Sequence, residues 1–338
     1  MTEETESSSR FLPRIREELD KLPLTGPQKA ELAPKLLGRA HFLDTVGGPQ
    51  SVGRLSDDSR FLDLQGKVKA VVTHFAGHGL TTDAYVQAAV KQPSLLVNKP
   101  ETIVGNIEAV VNHFAAQGLT TRDYLQAALK QPSLFYQSPA TTEGNVEGVA
   151  ERFAGEGLTA KEYLRAALKQ PTLFSQPPRS IEAKILRVVG DFAGEGLSVR
   201  DYLGAATDFP PLFYQSPETL AGNVDALVRR FSGAGLTREA YLRAALKQPT
   251  LFSRSPETIE RQLTGVVRRF ADQGLEERAF VGAALKQPQL FYQDPETIAG
   301  NIAGVVDRLG GAGLTTETYL QAALKQPSLF DQSPHTVA

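Results

Sequence analysis

The sequence predicts an all-α protein, a right-handed α-solenoid built from 39-residue two-helix repeats. Three observations carry that expectation. First, the segment Ala128-Leu129-Lys130-Gln131-Pro132-Ser133-Leu134-Phe135 returns down most of the chain. Its proline stands at Pro93, Pro132, Pro171, Pro210, Pro249, Pro288 and Pro327, every interval 39 residues, with no insertion or deletion. A period of this length held without slippage marks stacked helical units, each burying its apolar face only against its neighbours. Second, the apolar residues between the prolines fall at helical spacing. Third, glycine and proline recur at fixed offsets, where helices have to stop and start.

Taken in order, residues 1–10 are polar and serine-rich and read as unstructured. Residues 11–65 read as a helical N-terminal cap region. Phe11, Leu12, Ile15 and Leu19 fit one helical face, Gly26-Pro27 opens a second helix, and Gly47-Gly48-Pro49 reads as a loop. Val68, Val71, Val72 and Phe75 match the second helix of a repeat, although Arg54 stands where the repeat has its proline. Residues 66–338 are then about seven repeats, the last one cut short just after Ser333-Pro334.

One repeat shows the construction. Gly118 supplies the left-handed residue that closes the preceding helix. Thr120 suits an N-cap, with Asp123 at N3 in the acid-rich first turn. Tyr124, Leu125, Ala128 and Leu129 share one side of the first helix. Pro132 ends it, because proline disfavours α geometry in the residue before it. Ser133-Leu134-Phe135 has room for a single tight turn. Ser138-Pro139 starts the second helix with a capping side chain and proline at N1, as do Ser216-Pro217, Ser255-Pro256 and Asp294-Pro295. Thr142, Val146, Val149, Ala150 and Phe153 make its buried stripe.

The bulk composition removes several function classes. There are no cysteines, which excludes disulfides, thiolate zinc sites and cysteine nucleophiles. The formal net charge of -2 gives no bulk basic signal, so any nucleic-acid reading rests on where the charges sit. No apolar run approaches a membrane span and no targeting segment stands out, so the chain reads as cytoplasmic, with a nucleoid-associated or host-delivered role left open. His41, His74, His78, His113 and His335 form no metal or catalytic pattern, and no phosphate-cradling or nucleophile motif occurs. The expectation is a monomer that is not an enzyme and uses no cofactor or metal.

The order first helix, Pro-x-Leu-Phe, Ser-Pro-Glu-Thr-Ile, second helix with a Val-Val pair, then Gly-Leu-Thr resembles the repeat of the mitochondrial transcription termination factor (mTERF) family, over about residues 66–338. That resemblance implies a curved helical array that binds nucleic acid, with duplex DNA favoured, along a basic surface and without catalysis. In organisation, near-copies with a few changing positions are also similar to modular readers of the TALE and PUF kind, where one unit addresses one base.

Stacking in register turns each surface position into a row. One row is Lys91, Lys130, Lys169, Lys247, Lys286 and Lys325, closing the first helices. A second is His74, His113, Arg152, Arg230, Arg269 and Arg308, near the ends of the second helices, with Asn106, Asn145, Asn223 and Asn301 two turns earlier. Regularly spaced cations suit a phosphate backbone, although lysine in a last turn also complements the helix dipole. Both rows fail together: Asp191 replaces the arginine, Asp208 the lysine and Lys184 the asparagine. That coincidence suggests one shared surface, or one decayed repeat.

The position after Leu-Phe varies as Val97, Tyr136, Ser175, Tyr214, Ser253, Tyr292 and Asp331. It reads either as a base-readout position, by stacking or hydrogen bonding, or as a drifting turn in an array copied by pairs. The leading expectation is nucleic-acid binding through the lysine and arginine rows. The alternative is a scaffold that grips a protein or peptide in its concave groove.

Overall fold

A computed structural model describes residues 3–46 and 63–333. The expected loop at Gly47-Gly48-Pro49, Arg54 and the final Pro334 lie outside the described residues. Every regular element among them is helical. The chain opens with α1 (Glu3–Asp20), α2 (Gly26–Val46) and α3 (Leu64–Phe75). The pairs that follow are α4 (Thr82–Lys91), a one-turn α5 (Ser94–Val97) and α6 (Pro100–His113); α7 (Thr121–Lys130) and α8 (Pro139–Arg152); and α9 (Ala160–Lys169) and α10 (Pro178–Asp191). After them come α11 (Val199–Asp208) and α12 (Pro217–Phe231), α13 (Arg238–Lys247) and α14 (Pro256–Arg269), α15 (Glu277–Lys286) and α16 (Pro295–Leu309), and finally α17 (Thr316–Lys325).

The chain divides into two compact bodies. One runs up to Glu151 and includes Thr159–Pro177; the other comprises Arg152–Leu158 and everything from Pro178 onward. Within the first, α4, α7 and α9 stack as one layer and α3 packs on α6 in a second. Within the second, α11, α13, α15 and α17 stack in turn, as do α10, α12, α14 and α16.

The expected punctuation is present. Gly79, Gly118, Gly157, Gly196, Gly235, Gly274 and Gly313 all have φ between 80° and 91°. A side chain there would be strained, and the residue after each glycine closes the helix end, as Leu119 N does on Phe114 O at 3.2 Å. Between each second helix and its glycine lies a short 3-10 turn, for example Ala154–Glu156, which the sequence pattern did not separate from the helix. It lets the last amides find carbonyls three residues back. Thr120, Thr159, Thr237 and Thr315 cap the first helices with their hydroxyls, and Ser216, Ser255 and Asp294 cap second helices.

The core is built from one aromatic device. In every repeat except that of α15, which has Phe280, the first-helix tyrosine is buried and donates its hydroxyl to the leucine carbonyl of its own tight turn: Tyr85 to Leu95, Tyr124 to Leu134, Tyr163 to Leu173, Tyr202 to Leu212, Tyr241 to Leu251 and Tyr319 to Leu329. Burial pushes these phenols well above their ordinary pKa, so they stay neutral donors. The same rings pack edge-on against the phenylalanine of the following turn. Tyr85 meets Phe135 at 5.3 Å, Tyr124 meets Phe174 at 5.6 Å and Tyr241 meets Phe291 at 5.5 Å between centroids. One side chain thus closes its own repeat and joins it to the next.

At the N-terminal end, α1 begins at Glu3 and so takes in residues read from composition as unstructured. Serine costs only tenths of a kcal/mol relative to alanine in a helix, too little to exclude that stretch. Further along, Glu18 is almost fully buried and ties α1 to α3, accepting from Leu64 N at 2.9 Å and Lys21 Nζ at 2.5 Å.

Candidate nucleic-acid interface

The lysine row stands where the sequence placed it. Lys91, Lys130, Lys169, Lys247, Lys286 and Lys325 each end a first helix and are exposed. Apart from Lys169, none of them enters an ion pair among the described residues. Their helices bury positions 4, 5, 7 and 8, as in Tyr124, Leu125, Ala127 and Ala128 of α7, except that Ala322 of α17 is exposed. Positions 2, 6 and 10 therefore form a single outward stripe.

In the first body that stripe holds cations the repeat count alone did not single out. It reads Arg122, Gln126 and Lys130 on α7, and Lys161, Arg165 and Lys169 on α9, all exposed. Lys91 adds the adjoining α4. Arg122, Lys161 and Arg165 make no ion pair among the described residues, although the Arg165 charge helps to hold the Glu162 carboxylate ionised. The nearby Asp123 and Glu162 are turned to their own helix ends, accepting the Thr120 hydroxyl at 2.5 Å and the Thr159 hydroxyl at 2.8 Å. Backbone and hydroxyl bonds from Thr159 hold Glu162 below the ordinary glutamate pKa. These extra cations vary between repeats, and the readable signal was their i, i+4, i+8 spacing with Lys130 and Lys169. In the second body the equivalent stripe is mixed, with Asp208, Glu239 and Glu317 on it.

The second row is differently placed and differently occupied. Arg230 Nε lies 2.6 Å from Glu260 Oε1, and its Nη2 lies 3.2 Å from Glu277 Oε1. Arg152 pairs with Glu182, and Arg269 Nη1 lies 3.7 Å from Glu296. His74 and His113 face Glu108 and Glu147 at 2.8 and 2.7 Å. In each case the partner is a carboxylate of the following second helix or the next first helix. These side chains are rungs between repeats, and Arg308 also has a partner. Glu277 begins α15 and Lys286 ends it, so that 10-residue helix sets the two rows ~14 Å apart, at opposite ends of the first helices. At this rung the two rows do not meet at one end of the helix.

The replacements in the failing repeat have local partners of their own. Asn145 Nδ2 donates to Phe174 O at 2.9 Å and Asn301 Nδ2 to Phe330 O at 3.4 Å, each in the turn of the next repeat. Lys184 does the same job, donating to Tyr214 O at 2.8 Å. Asp191 takes Arg187 on its own helix, 3.1 Å away.

The candidate readout positions also point into neighbouring repeats. Tyr136 Oη receives Gln92 Nε2 at 2.5 Å, and Asp331 receives Gln287 Nε2 at 3.0 Å. Ser175 Oγ donates to Gln137 Oε1 at 2.5 Å, and Ser253 Oγ to Gln215 Oε1 at 2.6 Å. The Arg254 guanidinium lies over the Tyr292 ring at 4.5 Å, and Tyr214 is half-buried. Ser175 and Ser253 reach the glutamine 38 residues back, whereas Tyr136 and Asp331 meet the one 44 back. Gln293 shows the consequence, because its counterpart is Asp331, which cannot donate when ionised, and Gln293 Oε1 is buried without a partner.

Among the described residues no cluster of His, Cys, Asp and Glu could hold a metal ion, and no helix is long and apolar enough to cross a membrane. No protein-family model and no curated protein matches the chain.

Proposed function

We propose that the protein is a nucleic-acid-binding helical array that holds the phosphate backbone of duplex DNA on the outward face of its first helices. In this reading the 39-residue repeats form a right-handed solenoid similar to that of the mTERF family. One observation carries it: Lys91, Arg122, Lys130, Lys161 and Arg165 are exposed on adjoining helices of one body, and none of them makes an ion pair among the described residues. Cations left uncompensated on a rigid face gain by displacing the counterions of a polyanion.

Recognition is by backbone and shape. The residues at Tyr136, Ser175, Tyr214, Ser253, Tyr292 and Asp331 serve packing between repeats, so the proposal includes no base code. The histidine and arginine row keeps successive second helices in register. The test is a titration of the full chain with duplex and single-stranded oligonucleotides of one sequence across a salt series. Binding at low salt that weakens steeply as salt rises, with little dependence on sequence, supports the reading. Absence of binding at low salt overturns it.

A further inference from the structure

The cationic face of the first body holds a cavity whose floor is hydrocarbon. About 220 Å³ in volume, it lies between the turn after α3 and the outward side of α7, lined by His78 and Leu80 from the turn and by Arg122, Leu125, Gln126 and Leu129 from the helix. Leu80 and Leu125 are buried and Leu129 is half-buried. His78, Arg122 and Gln126 are exposed at the rim, and their side chains make no hydrogen bond or ion pair among the described residues. No carboxylate lines the cavity. Leu129 lies seven residues from Arg122, so the two stand within ~20° of one line along α7.

The apolar position and the cation beside it change together. Half-buried Val90, Leu129, Leu168, Leu246, Leu285 and Leu324 each precede a lysine of the first-helix row, whereas α11 has Thr207 followed by Asp208. That helix still buries Tyr202, Leu203, Ala205 and Ala206, so its packed face is intact and it is the outward pair that differs. A leucine and a lysine lost as a pair from one surface fit a ligand that touches both.

We infer that this notch seats a deoxyribose of the bound duplex, with the phosphate beside it on Arg122, and thereby selects DNA over RNA. The inference rests on the reading of this face as a phosphate-binding surface. Along a nucleic-acid backbone the group next to each phosphate is the pentose, and its C2′ edge is a methylene in DNA but carries a hydroxyl in RNA. Against Leu80, Leu125 and Leu129 the methylene is well matched, whereas the hydroxyl is stripped of water with no partner on the floor. The 2′-hydroxyl is the group by which a protein distinguishes the two backbones at a given site. The cavity is smaller than the ~300–1,000 Å³ of a drug-sized pocket, which leaves room for one ring.

The experiment uses the full chain with labelled duplex DNA and duplex RNA of one sequence, read by anisotropy at low salt. DNA should bind about tenfold more tightly, the effect of one unpaired hydroxyl. Leu129→Asn places a hydrogen-bonding group on the floor and should raise RNA affinity until the two duplexes bind nearly alike, a gain that misfolding cannot imitate. The salt slope of DNA binding should stay as in wild type, because no cation is removed. Leu246→Asn, the same change in the second body, should leave the ratio unaltered. Equal binding of both duplexes by wild type overturns the inference and leaves the phosphate-binding reading standing. So does a DNA preference that Leu129→Asn does not reduce, since duplex shape alone would then discriminate. Failure of both duplexes to bind at low salt overturns the two together.

Discussion

Replacing Lys91, Arg122, Lys130, Lys161 and Arg165 together by glutamine tests the role of the first-helix face most directly. All five are exposed, and none makes an ion pair among the described residues, so the substitution removes charge while leaving the packed faces of α4, α7 and α9 intact. If each cation neutralises one phosphate, the slope of log K against log salt loses about 0.9 per contact, or about 4.5 in all. Between about 50 and 200 mM salt the wild-type affinity then carries a ~500-fold dependence that the variant lacks. Fluorescence anisotropy on a labelled duplex across that range reads the slope directly. A matched variant, Arg230→Gln with Arg269→Gln, removes cations already paired with Glu260, Glu277 and Glu296. It should leave the slope unchanged and cost at most about 1 kcal/mol of stability for each exposed pair. An unchanged slope in the five-fold variant, or an equal loss in the arginine pair, would refute the reasoning. The first result would make the lysines helix-end charges only; the second would put the ligand on the inter-repeat rungs.

Other predictions concern the internal frame. Tyr124→Phe deletes the hydroxyl that satisfies the buried Leu134 carbonyl and should lower unfolding free energy by about 1 kcal/mol in urea titrations. Phe280→Tyr, which installs the missing hydroxyl in the one first helix of α4–α17 that lacks it, should raise it by a similar amount; no change in either would remove the tyrosine device. Asp331→Ser should stabilise the chain by about 1 kcal/mol, by giving Gln293 Oε1 a donor. Burial raises the Asp331 pKa, so wild type loses stability as pH climbs through that raised value, and the serine variant should not show this decline. Glu162 has the opposite sign. Its folded pKa is depressed by Thr159, so its contribution is complete above the unfolded value and fades as pH falls through the folded one. Stability against pH for Glu162→Gln should therefore converge on wild type in acid, and a constant gap would contradict the capping account.

How much could be read before tertiary structure differs from residue to residue. The helix order, the tight turns, the left-handed Gly118 and its counterparts, and the threonine caps were all legible, because each follows from backbone sterics within a few positions. The outward lysines were legible for the same reason, since helical periodicity separates Lys130 from Tyr124 and Leu125 without reference to any neighbour. Arg122 was legible beside Lys130 on the outward side of its helix, and its slot recurs as Lys161, Arg200 and Arg278, but Asp83, Glu239 and Glu317 interrupt that row, as glutamine and glycine interrupt the one that holds Arg165 and Arg243.

The partners were not legible. Arg230 looked like a free surface cation and Tyr136 like a readout residue, yet the first reaches Glu260, 30 residues on, and the second Gln92, 44 back. Sequence periodicity reports that a position recurs, and helical geometry reports which way its side chain leaves the axis. Whether another repeat's carboxylate or amide waits within 3 Å depends on how far each helix is shifted along its neighbour, and that offset is set by aromatic packing such as Tyr124 on Phe174. The sequence alone therefore determined the helices and their exposed faces. Only the packing of one repeat on the next decided which exposed charges were already spent and which remain available to a ligand.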